Sequence, residues 1–310
     1  MEGKHTLPQV IVIVLNWNGS ADTLCCLESL EKVTYPACEV LVVDNGSTDD
    51  SVAILRRAFP HLHLIETGQN LGFVGGNNVG LEYARNAGAE YALLLNNDTE
   101  VDADFLTRLV QAAESGPEVG VTGPSIYYFD EPDTFWSAGG QIDWKHGVTS
   151  MVGINQVEQG QYGSQPRPVD FVTGCALLIK MNVVEKVGML DPRFFLYYEE
   201  TEWCVRVRRA GYEILHVPAS KIWHKISPVA REASPMVHYY MTRNRLLFLR
   251  LSDASLVTWA NTYIEYARTL LSWRLRPRWR GKARQRQAMV QAIRDFSRRR
   301  FGKVEWNGGV

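Results

Sequence analysis

The chain has 310 residues, 45% of them hydrophobic and 22% charged, with 33 Lys+Arg against 34 Asp+Glu for a formal net charge of −1. That balance excludes a disordered chain, a collagen-like repeat and a uniformly basic nucleic-acid binder. The length allows about two domains and a sizeable core.

Val10–Leu15 is a continuous apolar run, expected to be a strand buried on both faces and too short for a signal-peptide core. Ser20 or Asp22 is expected to cap a helix reaching about Glu31, with Leu24, Leu27 and Leu30 near helical spacing. Val40–Val43 predicts a second buried strand stopping at Asp44, and Val52–Phe59 a helix started by Asp49-Asp50-Ser51. His63–Glu66 reads as a short strand, Gly75–Asn86 as a helix, and Tyr91–Leu95 as a strand ending at Asn96-Asn97-Asp98. Asp102 or Asp104 opens the next helix. Strands alternating with helices to this point predict a parallel α/β sheet.

Ile126–Arg167, with Tyr127, Tyr128, Phe129, Trp136 and Trp144 among many Gly, Pro and Gln, predicts an irregular, aromatic-rich excursion with short strands. Core character returns over Val169–Met181. Helices are expected over Asn182–Val187 and Glu202–Ala210, and a strand over Glu213–Val217 that Pro218 ends. From about Val237 the pattern is helical. Leu256, Ala260, Tyr263, Ile264, Ala267, Leu270 and Leu271 form one apolar stripe; Met289, Ala292, Ile293 and Phe296 form another, with Pro277 between. No stretch of about 18 uncharged apolar residues occurs. The nearest, Ala254–Trp273, is interrupted by Glu265 and Arg268. The five cysteines, Cys25, Cys26, Cys38, Cys175 and Cys204, form no C-x-x-C pair and are expected to be reduced thiols of a cytoplasmic protein.

Four polar clusters close these strands, at the edge where open parallel sheets bind ligands. Asn16-Trp17-Asn18-Gly19 and Asp44-Asn45-Gly46-Ser47-Thr48-Asp49 supply turn formers and an acid that can accept hydrogen bonds from a base or ribose. The Gly/Asn-rich segment Gly68–Asn78 lets backbone approach a ligand but is not a G-x-G-x-x-G dinucleotide loop. Asp98, in Leu95-Asn96-Asn97-Asp98-Thr99, suits a hard divalent cation shared with nucleotide phosphates. Further on, Glu199, Glu200 and Glu202 follow the aromatic run Phe194–Tyr198; apolar walls raise the basicity of a carboxylate, which suits a general base. A structural reading stands beside it, since glutamates also favour the first turn of a helix. His224 can serve as a metal or phosphate contact. Arg206, Arg208 and Arg209 either hold phosphate or solvate a helix face.

Together these segments resemble glycosyltransferase family 2, and more closely its bacterial rhamnosyltransferase-like branch. The resemblance runs over roughly residues 8–230. It is carried by Val14–Gly19, Val42–Asp49, Asn70–Phe73, Leu94–Thr99, Thr173–Ile179, Phe194–Arg206 and His224. It implies a GT-A nucleotide-sugar-binding fold, a mostly parallel Rossmann-like sheet, over residues 1–230, with a C-terminal basic helical appendage over 231–310. It also implies an inverting, metal-dependent transferase moving a sugar, rhamnose in the closer branch, from a dTDP- or UDP-linked donor. The acceptor would be a saccharide or lipid-linked molecule in cell-surface polysaccharide synthesis. Asn16, Asn18, Asp44, Asn45, Ser47, Asn70, Gly72, Asn77, Asn97 and Arg206 would face the donor, and Gly174 and Trp203 the acceptor. Asp98 and His224 would hold Mg²⁺ or Mn²⁺, and Glu200, with Glu199 as second choice, would be the catalytic base. Two departures stand out. Asn96 replaces the first acid of the family's D-x-D metal motif, and Glu200 replaces its catalytic Asp. A nucleotidyltransferase would need a basic phosphate loop after the first strand, and Asn16–Gly19 has no Lys or Arg. An inactive sugar-nucleotide-binding scaffold subunit remains the other alternative.

The net charge conceals an uneven distribution. Residues 268–303 hold 13 basic residues and one acid, Asp295, a net +12 that leaves −13 for the remainder. Trp273, Trp279, Met289, Ile293 and Phe296 interleave with these cations. That pattern reads as an amphipathic element on an anionic membrane surface, with a solvated basic helix packed on the catalytic domain as the alternative, and no nucleic-acid partner is expected. The expected location is therefore peripheral, on the cytoplasmic face of the plasma membrane.

Overall fold

The computed structural model describes residues 7–225 and 234–304. The expected domain boundary near residue 230 lies outside them. In chain order the strands are β1 (Val10–Asn16), β2 (Cys38–Asp44), β3 (His63–Glu66), β4 (Tyr91–Asn96), β5 (Thr99–Val101), β6 (Val119–Tyr128), β7 (Phe135–Ser137), β8 (Gly140–Asp143), β9 (Val148–Met151), β10 (Arg167–Pro168), β11 (Ala176–Lys180) and β12 (Glu213–His224). The helices are α1 (Ser20–Leu30), α2 (Ser51–Ala58), α3 (Gly72–Asn86), α4 (Phe105–Ala113), α5 (Met181–Val187), α6 (Glu199–Arg209), α7 (Pro235–Leu251), α8 (Leu256–Leu275) and α9 (Ala283–Ser297), with a 3₁₀ turn at Pro277–Lys282.

The main sheet runs β10-β12-β6-β11-β4-β1-β2-β3, with β5 on β12 and β7 on β6. β3, β2, β1 and β4 are parallel; β11 inserts antiparallel between β4 and β6, and β12 is parallel to β6. Period-two alternation explains why the central strands β1, β4 and β11 are almost wholly apolar: each face needs its own cover. Ile11, Ile13, Leu94 and Leu177 join a core with α3, α5, α6 and α7. Val10, Val12, Val14, Leu93 and Leu95 join a second core with α1, α2 and α4.

Several expectations need correction. α3 begins at Gly72, three residues early, and its glycines serve packing as well as the loop: a Cβ on Gly76 would lie 2.3 Å from Leu15, and one on Gly80 2.3 Å from Ile13. Ser20 and Asp22 fall inside α1, whose N-cap is Gly19. β6, ten buried residues, lies partly in the segment expected to be irregular. Pro218 does not end the strand that carries it. β12 passes through an irregularity between Val217 and Lys221 and continues to His224.

The C-terminal helical region is present and shares the sheet's core through Leu247, Phe248 and Leu249 of α7. Its two apolar stripes point opposite ways. Met289 and Ala292 of α9 are buried with α7, so the α9 stripe is a packing face and not a lipid-facing one. On α8 the buried side chains are Thr258, Thr262 and Tyr266, whereas Leu256, Tyr263, Ile264 and Leu271 are exposed. Among the described residues no helix is long and apolar enough to cross a membrane. All five cysteines are free thiols.

Candidate active site

The parallel register places Asn16 beside Asp44 at the carboxyl edge of β1 and β2. Asn16 Nδ2 donates to Asp44 Oδ1 at 2.7 Å, the Ser47 hydroxyl donates to the same oxygen at 2.6 Å, and Ser47 N–H donates to Oδ2 at 2.9 Å. Thr48 N–H donates to Asn18 Oδ1 at 2.8 Å, and Leu71 N–H to Asn45 Oδ1 at 2.9 Å. Asn45 Nδ2 donates to Gly72 O at 3.0 Å, and Gly72 N–H to Asn70 Oδ1 at 2.8 Å. Gly46, at φ +72°, has no room for a side chain: a Cβ would lie 2.4 Å from the Gln69 backbone. Three loops are thus tied into one layer around the buried Asp44, with Trp17 exposed beside it. Asn97 belongs to the same framework, donating to Thr23 Oγ1 at 2.9 Å and Gly19 O at 3.3 Å.

One strand further along, Asp98 occupies the turn from β4 to β5. His224 at the end of β12 pairs with Thr99, which brings its Nε2 to 2.9 Å from Asp98 Oδ1. The imidazole is buried against Trp136 and its Nδ1 has no partner, so Asp98 is the ring's polar neighbour. Asp98 itself is 32% exposed. A hard oxygen and a borderline nitrogen donor side by side, one open to solvent, fit a Mg²⁺ or Mn²⁺ ion that completes its shell with phosphate and water. No group of three or more acidic, His or Cys donors gathers among the described residues, so a cation here would draw most of its ligands from the nucleotide.

Glu199 and Glu200 open α6 after an unusual turn. Phe195, Tyr197 and Tyr198 all have φ near +70°, a left-handed conformation that costs a non-glycine residue about 1 kcal/mol or more. The turn is held from α7. Asn244 Nδ2 lies within 2.7–2.9 Å of the carbonyls of Phe194, Leu196 and Tyr197, and Arg243 donates to Phe194 O at 3.0 Å. Gly72 abuts the same turn; a Cβ there would lie 2.5 Å from Phe195. The turn therefore joins the loops around Asp44 to the two glutamates. Glu199 is buried and Glu200 partly exposed. Burial raises both carboxyls above the usual range, and the Glu200 charge raises Glu199 further. Backbone N–H groups, including that of Gly174, favour the charged form of Glu200 in part. One oxygen of each glutamate is buried without a partner. Gly174 lies against Phe73 and the Glu200 Cβ, and its neighbour Cys175 accepts from Asn96 N–H at 2.9 Å. That contact sets Glu200 beside the β4 end that leads to Asp98.

Three expected site residues lie elsewhere. Trp203 is fully buried in the core and donates to Gly188 O at 2.8 Å, because α6 turns its largest apolar side chain inward. Arg206 directs its guanidinium at Glu202 (2.9 Å) and at the carbonyls of Val187 and Met189, so its donors are spent on locking α6 to the segment after α5. Asn77 is buried within α3 and donates to Phe73 O one turn earlier. Conversely, Arg243 and Asn244 were not anticipated. Their signal in the sequence is the polar run Arg243-Asn244-Arg245 directly before the apolar run Leu246–Leu249.

The profile for glycosyl transferase family 2 matches residues 10–188, which contain Asn16, Asp44, Asn70 and Asp98. The chain belongs to glycosyltransferase family 2. This glycosyltransferase is 26% identical over 216 residues to the N-acetylglucosaminyl-diphospho-decaprenol L-rhamnosyltransferase of Mycobacterium tuberculosis, covering 64% of the chain and 70% of the relative. It is 24% identical over 259 residues to the dTDP-rhamnosyl transferase RfbF of Shigella flexneri, covering 80% and 82%. Among solved structures it superposes on residues 1–349 of S. aureus TarS in complex with UDP-GlcNAc with a TM-score of 0.59 at 15% identity, covering 93% of the chain and 80% of that fragment. For GalNAc-T7 with UDP, GalNAc and Mn²⁺ the TM-score is 0.63 at 15% identity; 95% of the chain is covered but only 56% of that protein. The glycosyltransferase thus has the GT-A fold and is rhamnosyltransferase-like.

Proposed function

We propose that this glycosyltransferase moves a sugar, with inversion, from a nucleotide-diphosphate donor to a hydroxyl of a saccharide or lipid-linked acceptor in cell-surface polysaccharide synthesis. The observation that carries the reading is the placing of the Asp98–His224 pair near the same sheet edge as the buried, raised carboxyl of Glu200. The knitted layer around Asp44 would seat the base and ribose. Asp98 and His224 would hold a divalent cation, which when bound supplies charge compensation for the diphosphate. Glu200 would take the proton from the acceptor hydroxyl as its oxygen bonds to the anomeric carbon. The carbon–oxygen bond to the diphosphate breaks on the opposite face, and its electron pair leaves with the phosphate. The unpartnered oxygen of Glu200 is the acceptor such a proton needs. Two rhamnosyltransferases among the relatives favour dTDP-rhamnose as donor, with UDP-hexoses next, and the decaprenol-linked acceptor of one favours a lipid-linked acceptor here.

A donor panel scored by thermal unfolding with Mn²⁺ present tests this. Binding to the folded state stabilises by mass action, by about 2.7 kcal/mol at a hundred times Kd. The matching nucleotide sugar should raise the midpoint and lose that effect in Asp44→Ala. If no nucleotide sugar shifts the midpoint, the reading is wrong.

A further inference from the structure

The outer face of α8 is an apolar surface that none of the described residues covers. Leu256 is 86% exposed, Leu275 71%, Val257 59%, Leu271 56% and Ile264 54%. At 100° per residue these side chains, with Ala260 and Ala267, fall on one side of a helix about 30 Å long. The opposite side is fixed to the protein. Thr258 donates to Trp144 O at 2.6 Å, Asn261 to Lys145 O at 2.9 Å and Thr262 to His146 O at 3.1 Å, all in the turn between β8 and β9. Thr258 and Thr262 therefore face inward beside Trp259, Tyr266, Leu270 and Trp273, while Leu256, Leu271 and Leu275 face outward, an apolar face that water alone does not favour. The one acid on α8, Glu265, is paired with Arg245 of α7 (2.7 Å).

The surroundings of the stripe define its partner. No acidic residue occurs between Glu265 and Asp295. Within that span Arg268, Arg274, Arg276, Arg278 and Arg280 are exposed, on the last turns of α8 and the 3₁₀ turn that follows. Tyr263, stacked on Trp259, borders the stripe as aromatic rings do at a membrane interface. A second copy docked through its own α8 face would bring the same cations and no acid from the span between Glu265 and Asp295, so that pairing does not complement this surface. Phosphate-bearing lipid headgroups over acyl chains do.

We propose that α8 lies in the plane of an anionic bilayer, with Leu256, Ile264, Leu271 and Leu275 inserted and the arginines from Arg268 to Arg280 on the headgroups. Of the expected membrane element, residues 268–303, this keeps the arginines up to Arg280 and moves the apolar contact from α9, whose apolar face is buried, to α8. It is independent of the sugar-transfer reading, because vesicle binding needs no donor or acceptor.

The test is sedimentation of the full chain with phosphatidylcholine vesicles, with and without phosphatidylglycerol. The wild type should bind the anionic vesicles, and salt should weaken the binding. Ile264→Glu/Leu271→Glu should cut partitioning at least about tenfold. Arg274→Gln/Arg276→Gln/Arg278→Gln should cut it roughly fivefold per charge removed. Ile54→Glu, at an exposed position on α2, should leave it unchanged, and thermal unfolding checks that each variant is folded. Three results would overturn the proposal: no binding of the wild type to anionic vesicles, binding that the Ile264/Leu271 variant retains, or a wild-type dimer that this variant dissociates without any vesicle binding.

Discussion

The Asn244 side chain donates to Tyr197 O at 2.9 Å, tying the middle of α7 to the left-handed turn that delivers Glu199 and Glu200. The same amide reaches Phe194 O and Leu196 O, so one residue from outside the α/β sheet satisfies three carbonyls of a strained segment. Asn244→Ala should lower stability by on the order of 2 kcal/mol, since buried carbonyls lose their donors. It should also lower kcat more than it raises the donor KM, because the turn carries the proposed base, whereas the loops around Asp44 are held by their own hydrogen bonds. A merely structural role would leave the pH profile in place; a displaced Glu200 shifts its acid limb. An unchanged kcat in folded protein would remove Asn244 from the positioning machinery.

The glutamate pair makes stability depend on pH in a definite direction. Glu199 has a folded-state value raised by burial and by Glu200. The native state therefore holds its proton at pH values where the unfolded chain has lost it. Stability contributed by the protonated form is complete below the unfolded carboxylate value and falls as pH rises through the folded one. Glu199→Gln removes that fall. Its urea midpoint at neutral pH should exceed the wild type's, and the difference should shrink in acid. A lower midpoint at neutral pH would mean that the Glu199 charge is stabilising.

Raised Glu200 predicts an activity profile as well. A base works when ionised, so turnover should climb with pH through a value above the ordinary carboxylate range. Rates already on a plateau in that ordinary range would contradict the burial of this group.

Metal dependence should reside in two side chains. Asp98→Ala and His224→Ala should each weaken the Mn²⁺-induced rise in unfolding midpoint, measured with nucleoside diphosphate present, by at least about tenfold in metal concentration. An identical Mn²⁺ response in both variants would place the cation elsewhere.

Arg206 separates a structural from a ligand-binding role. Its ion pair with the buried Glu202 and its contacts to two carbonyls predict a loss of about 2–3 kcal/mol in Arg206→Ala. Donor affinity of the folded variant should match the wild type's. A large loss of donor affinity with stability intact would restore Arg206 to the phosphate site.

The parallel half of the fold was legible because β1, β2 and β4 each end in an apolar run that stops at a polar turn: Leu15 to Asn16, Val43 to Asp44, Leu95 to Asn96. The loops read from those stops are the ones that knit around Asp44. What the sequence hid was long-range. Pro218 reads as a terminator, yet β12 survives it through an irregularity, and that continuation brings His224 to Asp98. The side of α8 that is buried was equally hidden: periodicity reveals a stripe, but only the β8–β9 turn decides that threonines face inward. Asn77, Trp203 and Arg206 carried site-like chemistry in sequence order, and helix packing used it locally instead.

The most direct test of the account is turnover by Glu200→Gln alongside its donor binding. With the donor identified from the panel, calorimetry should give a dissociation constant close to the wild type's. Transfer to acceptor, or slow donor hydrolysis by water, should fall by on the order of 100-fold or more, since the carboxylate that takes the proton is gone. Wild-type turnover in this variant would contradict the assignment of Glu200 as the base, and with it the mechanism proposed for this sheet edge.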